Sequence, residues 1–466
     1  MKYRYCLFII LLAKFSFSLA TSDTLFVISD IEISGNKITK EKIILRELTF
    51  ETGDTISSLD ILAELDRSRD NIMKTSLFNF VTVNHLLKSG NNISVYIVLI
   101  ERWYLWPVPI FEHAERNLGA FIKNPDWDRI NYGLALNWNN FRGRRETLYF
   151  KGRFGYKEQF SIIYDKPNLG SEQKLGLSAG INKFRMHEVL ISTEENKPVY
   201  LNDNEKYLYE DLGTYLTLSF RNHLYFLHSL SLNYSNLIYR DSASHLEYLG
   251  IPFKQKSNFF SLEYIFEYDI RNSIYYPLTG YYLRISMKQR GLGIINDYDA
   301  KRTSLLLYTS YHKQWNRNLY HNQAARILLS ADKRDPAYYR TGIGYATYLR
   351  GYELYTIEGT SFGIISNNLK YCILHEKNFT IPWIAWSQFN KSHLSVFGNL
   401  FFDAGYSRGK YPITNGNSFV NEWLYSGGLG IDLVTYYDQV IRFEVSLNRQ
   451  GNAAFFIHTE VPFKRW

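Results

Sequence analysis

The sequence predicts a mainly β protein, in which one small α/β domain precedes a transmembrane antiparallel barrel of about sixteen strands. Three observations lead to this fold class. Residues 1–20 have the form of an export signal, residues 103–466 alternate apolar and polar side chains, and 17% of all residues are aromatic. Aromatic rings concentrate where a barrel meets lipid headgroups, and no stretch of about 18 apolar residues follows the signal to form a membrane-spanning helix.

The first twenty residues begin with the basic Lys2 and Arg4, continue with the apolar run 7–13 and end with the small residues of 18–20. This is the order of charged, apolar and cleavage regions in a signal peptide. The mature chain then keeps one cysteine, Cys372, so we expect no disulfide within it.

Residues 26–102 form the predicted small domain. Their patterns predict a strand, two helices and two strands, in the order Val27–Ser34, Thr39–Leu48, Ser58–Lys74, Phe80–Leu87 and Ile93–Ile100. Thr39 is the expected N-cap of the first helix, and Ser57 or Ser58 should begin the second.

Residues 103–466 form the predicted barrel. One segment near the end shows the alternation clearly, with Arg442, Glu444, Ser446 and Asn448 on one face and Ile441, Phe443, Val445 and Leu447 on the other. A soluble sandwich would bury the apolar face, whereas a membrane barrel would turn it to lipid, and alternation alone does not separate the two. The export signal, the length of the alternating region and the even strand count favour the barrel.

The composition and the absence of certain motifs argue against several functions. The formal net charge of +8 is mild and scattered, so we expect no nucleic-acid partner. The histidines are scattered, and neither a Gly-x-Ser-x-Gly motif nor metal-ligand spacing occurs. We therefore expect no enzymatic activity, no catalytic residues, no metal and no cofactor.

Two short motifs are candidates for function. Tyr348-Leu349-Arg350-Gly351-Tyr352 lies in a long Gly- and Tyr-rich segment, from about Asp335 to Gly363, between two strand-like runs. Loops this long within a compact architecture are usually functional. Phe401-Phe402-Asp403-Ala404-Gly405 lies in a later strand, and the parity of its neighbours points Asp403 inward.

Together these motifs make the chain resemble the BamA/TamA-like outer-membrane assembly and translocation family. Residues 349–352 match the motif of that family's sixth loop, and residues 401–405 match the motif on its thirteenth strand. Asp269-Ile270-Arg271-Asn272, with Pro277 and Gly280, is similar to the turn between strands eight and nine. Ile33 to Thr39, Leu45 to Leu48 and Gly53-Asp54 resemble a POTRA domain, a periplasmic polypeptide-binding module, here in a single copy.

The resemblance implies that Arg350 folds back into the lumen and pairs with Asp403. A guanidinium cannot lose its proton, so a buried arginine needs a carboxylate. Gly351 and Gly405 would let the two backbones approach closely. Phe401 and Tyr352 complete the predicted pair of motifs.

The two ends of the barrel carry further candidates. Pro107 and Pro109 would remove two backbone donors from one edge of the first strand, and Pro462 lies in the last strand. They predict a weak seam that a client strand could enter, although Pro107 and Pro109 could instead stiffen the linker before the barrel. Phe463 and Trp466 end the chain as an outer-membrane assembly signal does.

The resemblance implies an outer-membrane assembly factor, with its N-terminal domain in the periplasm of a Gram-negative-type bacterium, that binds client polypeptides and inserts or translocates them. The alternative is a secretion pore for one partner protein. Expected partners are outer-membrane lipids, unfolded outer-membrane or secreted clients, and accessory periplasmic or lipoprotein subunits. A passive porin is disfavoured, because a simple pore needs no polypeptide-binding module.

Overall fold

The computed structural model describes residues 24–113, 127–240, 256–295, 297, 301–331, 341–345, 347–385, 387–409 and 417–460. The predicted export signal and the predicted end residues Pro462, Phe463 and Trp466 lie outside these ranges. Within them, no helix is long and apolar enough to cross a membrane.

The small N-terminal domain is a four-stranded sheet covered by helices. Its elements are β1 (Leu25–Ser34), α1 (Glu41–Leu45), β2 (Thr55–Ser57), α2 (Ile61–Lys74), β3 (Phe78–Leu87) and β4 (Asn92–Glu101). The strand order is β2-β1-β4-β3, and β1 and β4 run parallel. Ile28, Ile43, Ile72, Phe78 and Ile97 are at most 1% exposed, so this domain has a water-excluding core of its own.

Four details of this domain differ from the prediction. The structure adds the short strand β2 between the helices, α1 is shorter than predicted, and α2 begins at Ile61 rather than near Ser58. Thr39 is not the N-cap, because Lys40 holds that position. The Thr39 hydroxyl is used elsewhere: it lies 3.0 Å from the hydroxyl of Tyr104 and accepts a hydrogen bond from Asn140 (2.8 Å).

Sixteen strands form the second sheet, and each pairs antiparallel with the next one along the sheet. They are β5 (Leu105–His113), β6 (Ile130–Phe141), β7 (Glu146–Gly155), β8 (Lys157–Leu169), β9 (Leu175–Met186), β12 (Tyr209–His223), β13 (Phe226–Tyr239), β14 (Lys256–Asp269), β15 (Gly280–Arg290), β16 (Arg302–Gln314), β17 (Leu319–Ser330), β20 (Ser361–Thr380), β21 (Lys391–Arg408), β22 (Trp423–Thr435), β23 (Gln439–Asn448) and β24 (Ala453–Glu460). Two short hairpins, β10 (Glu188–Glu194) with β11 (Lys197–Asn202) and β18 (Thr341–Ile343) with β19 (Ile357–Gly359), lie in loops, and α3 (Ser387–Asn390) lies in a turn.

The faces of this sheet are polar inside and apolar outside. On β21, Leu400 and Phe402 are each 53% exposed, whereas their inward neighbour Asp403 is 2% exposed and Ser407 is fully buried. The same reversal recurs on β23, where Val445 points outward and Glu444 inward. A soluble sandwich would show the opposite distribution. The predicted sixteen-stranded antiparallel membrane barrel is therefore confirmed.

Candidate functional site

Part of the chain between β17 and β20 folds back against the inner wall of the barrel. Residues 341–345 and 347–360, named here the inner loop, contain the hairpin of β18 and β19. Ile343, Leu349, Tyr352 and Ile357 of this loop are all 0% exposed and pack with Leu424 of β22. An apolar cluster of this kind holds the loop inside the barrel and fixes the position of the arginine between Leu349 and Gly351.

Arg350 lies at the centre of a charged cluster on the inner wall. Its Nε and Nη2 donate to the two carboxylate oxygens of Asp403, at 2.8 and 2.6 Å. Its Nη1 donates to Asn368 (2.8 Å) and to Glu444 (3.2 Å). The fork geometry of the guanidinium is what makes this double contact with one carboxylate possible. The structure thus brings together the two residues that the motifs singled out.

Two further contacts of Arg350 were not predicted from the sequence. Phe401 packs under the guanidinium, with 3.8 Å between Cζ and the ring centroid, which is a cation–π contact. Glu444 brings a second carboxylate, and His458 of β24 lies 3.4 Å from it. The alternation placed Glu444 on the polar face of its strand, but no motif linked it to residue 350.

Tyr352 and Gly351 attach the inner loop to the far end of the site. The Tyr352 hydroxyl donates to the carbonyl of Tyr425 (3.2 Å) and accepts from the amide of Arg449 (3.3 Å). The side-chain amide of Asn448 donates to the carbonyl of Gly351 (3.0 Å). Hydrogen bonds therefore fix the two residues that follow Arg350, in addition to the bonds of Arg350 itself.

The glycines of the site make room for these contacts. Gly351 has a φ of +80°, a conformation that other residues rarely adopt. A Cβ at Gly405 would lie 2.9 Å from Cδ2 of Leu349, so the glycine accommodates the inner loop. Gly428, which the sequence did not single out, faces Phe401, and a Cβ there would lie 2.6 Å from the ring.

Residues of the Asp269–Asn272 motif close the turn between β14 and β15. Arg271 forms a double contact with Asp269, at 2.9 and 2.6 Å. The side-chain oxygen of Asn272 accepts from the amides of Leu278 (3.0 Å) and Thr279 (3.1 Å), which closes the turn. These bonds hold the turn closed. The turn lies at the end of the barrel that faces the small domain, and this end is named here the proximal end.

At the opposite, distal end, the β10–β11 hairpin reaches across the opening. Asn196 at its tip is 5% exposed and accepts from the amide of Thr356 in the inner loop (2.7 Å). Asn417 accepts from the amide of Asn196 (2.7 Å) and donates to the carbonyl of Thr193 (2.5 Å). Three loops therefore meet over this opening.

The small domain is bound to the proximal end by a buried ion cluster. Glu47 is 3% exposed and accepts from both Nη atoms of Arg221, each at 2.7 Å, with Arg145 at 3.3 Å. Burial alone would raise the pKa of Glu47, but the charges and hydrogen bonds of the arginines outweigh it and lower this pKa to about 2. The carboxylate is thus charged at neutral pH and holds the two domains together.

The chain between the two domains is anchored to the turn between β22 and β23. Arg102 donates to Asp438 (2.5 Å), and the amide of Trp103 donates to the hydroxyl of Tyr437 (3.0 Å). Tyr437 has a φ of +59° and is 4% exposed, and the ring of Trp106 packs edge-on against it at 5.1 Å. This contact fixes where β5 enters the barrel.

Pro107 and Pro109 lie within β5, not in the linker before it. The amide of Asn139 donates to the carbonyl of Tyr104 (2.8 Å), and successive residues of a strand point their backbone groups to opposite edges. Even-numbered residues of β5 therefore face β6, and both prolines face the other edge.

The strands β5 and β24 are the two ends of the strand order, and no ladder joins them in the described part of the chain. The two prolines of β5 lie on the edge that would meet β24. Pro462, the third predicted seam residue, is outside the described residues. The predicted seam role of all three stays a prediction.

In the described ranges, no group of three or more His, Cys, Asp or Glu residues could hold a metal ion. Around Arg350, ion pairs, aromatic rings and glycines hold the inner loop.

Comparisons with known proteins agree with this architecture. A family model described as the Omp85 superfamily domain matches residues 140–435, and the POTRA model, described as a surface antigen variable number repeat, matches residues 26–102. No curated protein sequence matches the chain.

Two solved structures are similar in fold. The crystal structure of BamA from Haemophilus ducreyi lacking POTRA domains 1–3 has 15% identity and a TM-score of 0.52, covering 93% of this chain and 84% of that one. CdiB from Escherichia coli has 11% identity and a TM-score of 0.53, covering 93% and 75%.

Proposed function

This chain belongs to the Omp85 superfamily of outer-membrane β-barrels, and from that membership we propose that it is an assembly factor that binds client polypeptides and inserts them at the barrel. Its clients are unfolded outer-membrane or secreted proteins. The small domain faces the periplasm and makes the first contact with them. Lipids of the outer membrane surround the apolar outer face, and accessory periplasmic or lipoprotein subunits are further partners.

The observation that carries this proposal is the edge of β5. Pro107 and Pro109 direct their nitrogens, which bear no hydrogen, to the edge that faces away from β6. Two missing donors weaken any ladder formed along that edge. A client strand can compete with β24 for such an edge by β-augmentation, because neither competitor gains a complete ladder.

The position of the small domain supports a role in delivery. Glu47, Thr39 and Arg102 hold it directly against the proximal end of the barrel. A client that adds a strand to the sheet of this domain therefore lies close to the entry of β5. The domain and the edge then act in sequence, with binding first and insertion second.

A secretion pore for one partner protein is the second candidate. The inner wall carries polar side chains such as Ser407, Asp432 and Ser446, and this favours it, because a polypeptide in transit needs a polar path. This function requires the inner loop to move away from its cluster around Arg350. In either case we propose that the protein has no enzymatic activity.

Depletion of the protein, followed by a census of outer-membrane proteins, tests the main proposal. We expect specific barrel proteins to disappear from the membrane. Unchanged barrel proteins, together with conductance and export of one client by the reconstituted protein, would instead identify a secretion pore.

Site-specific photo-crosslinking tests the role of the edge. A crosslinking residue in place of Phe111, which is 76% exposed on the same strand and leaves both prolines intact, should capture a client during its assembly. The same residue at Leu230, which is 46% exposed in the middle of the sheet on β13, is the control and should capture none. Equal capture at both positions would contradict insertion at the edge of β5.

A further inference from the structure

A cavity of about 530 Å³ lies between the small domain and the proximal end of the barrel. A second cavity of about 490 Å³ adjoins it, and Lys74, Ser76, Ile274 and Tyr275 line both. Together they form an elongated space along the C-terminal half of α2, each part in the size range of ligand sites, about 300–1,000 Å³. An elongated space suits an extended chain better than a compact ion.

The first cavity carries an excess of positive charge. Five cationic side chains line it, against three carboxylates: Arg46, Lys74, Arg102, Arg145 and Arg221 against Asp165, Glu267 and Asp269. Two of the carboxylates already accept from arginines of the barrel, since Glu267 binds Arg284 (3.0 Å) and Asp269 binds Arg271 (2.6 Å). Glu47 is shared by Arg221 and Arg145.

Arg46 and Lys74 are the cations of this cavity that pair with no carboxylate of the described chain. The Nη1 atom of Arg46 is buried and has no hydrogen-bond partner among the described residues. Lys74 forms no ion pair in the same ranges, and its ammonium lies over the ring of Tyr225, 5.4 Å from the centroid. Both side chains come from the small domain and line the space between it and the barrel.

The lowered pKa values of Arg46 and Lys74 also favour a bound anion. Burial and the charge of Arg221 lower the pKa of Arg46 to about 10, and burial lowers the pKa of Lys74. Their charged forms are therefore destabilised in this structure, and an anion between them would remove that cost.

Polar atoms of the barrel face the same space. The side-chain oxygen of Asn137, a residue that is 3% exposed, and both amide atoms of Asn168 are buried without hydrogen-bond partners in the described chain. Rings of Tyr225, Tyr275 and Tyr282 provide apolar wall beside them. The first cavity therefore offers positive charge, one unpaired amide donor at Asn168, two unpaired amide acceptors and aromatic surface, which matches the acidic and aromatic side chains and the backbone amides of a peptide.

We propose that the first cavity, named here the basic cavity, binds carboxylate side chains of an extended client segment between the small domain and the barrel. The second cavity, whose lining adds Asp70, Glu376 and Asp438 against Arg69, holds a part of that segment without carboxylates. Arg46 and Lys74 bind the carboxylates, and the tyrosines pack against the apolar side chains of the segment. This assignment rests on the proposed function, because it supplies the client.

The probe is a short fluorescent peptide of alternating Glu and Tyr, titrated into the full mature protein in detergent, with a peptide of alternating Gln and Tyr as its counterpart. A hydrogen bond to a charged group contributes enough that we expect the Glu peptide to bind roughly tenfold more tightly or better. The double variant Arg46→Gln with Lys74→Gln should weaken binding of the Glu peptide by about tenfold to a hundredfold and leave the Gln peptide unchanged.

Arg67→Gln is the matched control. Arg67 lies on α2 as well, but its side chain is 61% exposed and pairs with Glu64, so this change should leave both peptides unaffected. Heat-modifiable migration of every variant checks that the barrel is intact. Equal affinity for the two peptides, or full binding by the double variant, would overturn the proposal.

Inorganic phosphate separates a peptide site from a site for any small anion. If phosphate displaces the Glu peptide only at phosphate concentrations far above the Kd of the peptide, the site prefers a polypeptide ligand. Displacement by phosphate at concentrations comparable to that Kd would overturn it.

Depletion of the protein separates the role of the basic cavity from the proposed assembly function. If depletion removes client proteins from the membrane but the Glu peptide binds the double variant as tightly as the unmodified protein, the role of the basic cavity alone is refuted. If the peptide binds as expected while no protein depends on the chain for assembly, the assembly function fails.

Discussion

Arg350→Ala is the substitution that should disturb the inner loop most. It removes one guanidinium and leaves two buried carboxylates without their main partner, since Asp403 is 2% exposed and Glu444 is 3% exposed. Asp403→Ala does less damage, because Arg350 keeps its bonds to Asn368 and Glu444. We therefore expect an unequal pair of defects, with the arginine variant the worse.

The size of the defect follows from burial. Breaking a buried ion pair by removing one partner costs roughly 3–5 kcal/mol, against about 0–1 kcal/mol for an exposed pair. The side chain of Arg350 is 18% exposed, so its cluster lies near the buried limit. We expect Arg350→Ala to lower the free energy of loop opening by about 3 kcal/mol, and Asp403→Ala by about half of that.

Native-state hydrogen exchange at the amide of Tyr352, which donates to the carbonyl of Leu349, measures this opening. A loss of about 3 kcal/mol accelerates exchange by roughly a hundredfold. Proteolysis near Tyr352 should rise and client assembly should fall, while the barrel still migrates as a folded species. Glu422→Ala is the control, because its pair with Arg449 is about half exposed on both sides and should change exchange little.

The double variant decides whether Arg350 and Asp403 act together. Its defect should barely exceed that of Arg350→Ala, because the second change removes a charge that the first has already left unpaired. Fully additive defects, or exchange rates as in the unmodified protein, would refute the cluster as the element that holds the inner loop.

Three further outcomes are expected. The mature protein should migrate on unheated gels as a compact, heat-modifiable species, because a barrel satisfies its backbone hydrogen bonds in detergent, and the absence of a heat shift would contradict the barrel. Docking lowers the pKa of Glu47 from 4.5 to about 2. The contribution of Glu47 to the stability of the docked state is therefore complete above about pH 4.5 and is lost as the pH falls towards 2. Energy transfer between labels on the two domains should stay constant from pH 7 to about pH 5, and Glu47→Gln should weaken docking at pH 7 by stranding Arg221. Gly280→Ala should destabilise the barrel by roughly 1–3 kcal/mol, because φ is +101° and a Cβ would lie 2.3 Å from the carbonyl oxygen of Ile270. Gly152→Ala, with its nearest contact at 3.8 Å, is the control, and equal denaturation of the two variants would contradict this reasoning.

The strand pattern is predictable because a barrel strand has two faces with opposite neighbours. Alternation by itself assigns Asp403 and Glu444 to the inner face, and both side chains lie there. The contact between Arg350 and Asp403 was expected through the motifs of a resembling family. Glu444 was not linked to them, because its place depends on the summed register of β20 to β23, which no local pattern encodes.

In the small domain, a local sequence rule gave the wrong role for one residue. Thr39 precedes a helix and has the side chain of an N-cap, so local rules assign it that role. In the structure its hydroxyl bonds Tyr104 and Asn140, two residues that lie beyond this domain. Contacts between domains thus override a local preference, and a single sequence does not reveal them. The same reason hides Glu47, whose partners Arg145 and Arg221 lie in a turn and in a strand of the barrel.

The reversed polarity of the barrel also governs how this chain itself must mature. In water, outward side chains such as Leu400, Phe402 and Leu429 would expose a continuous apolar surface. Because exposing that surface to water is unfavourable, we expect the barrel region to fold only at a lipid bilayer. The small domain has a conventional core and is free to fold while the remainder of the chain is still extended. We therefore expect a staged biogenesis, in which an unfolded C-terminal region follows a folded N-terminal one. The protein is thus itself a substrate for the kind of reaction that we propose it performs.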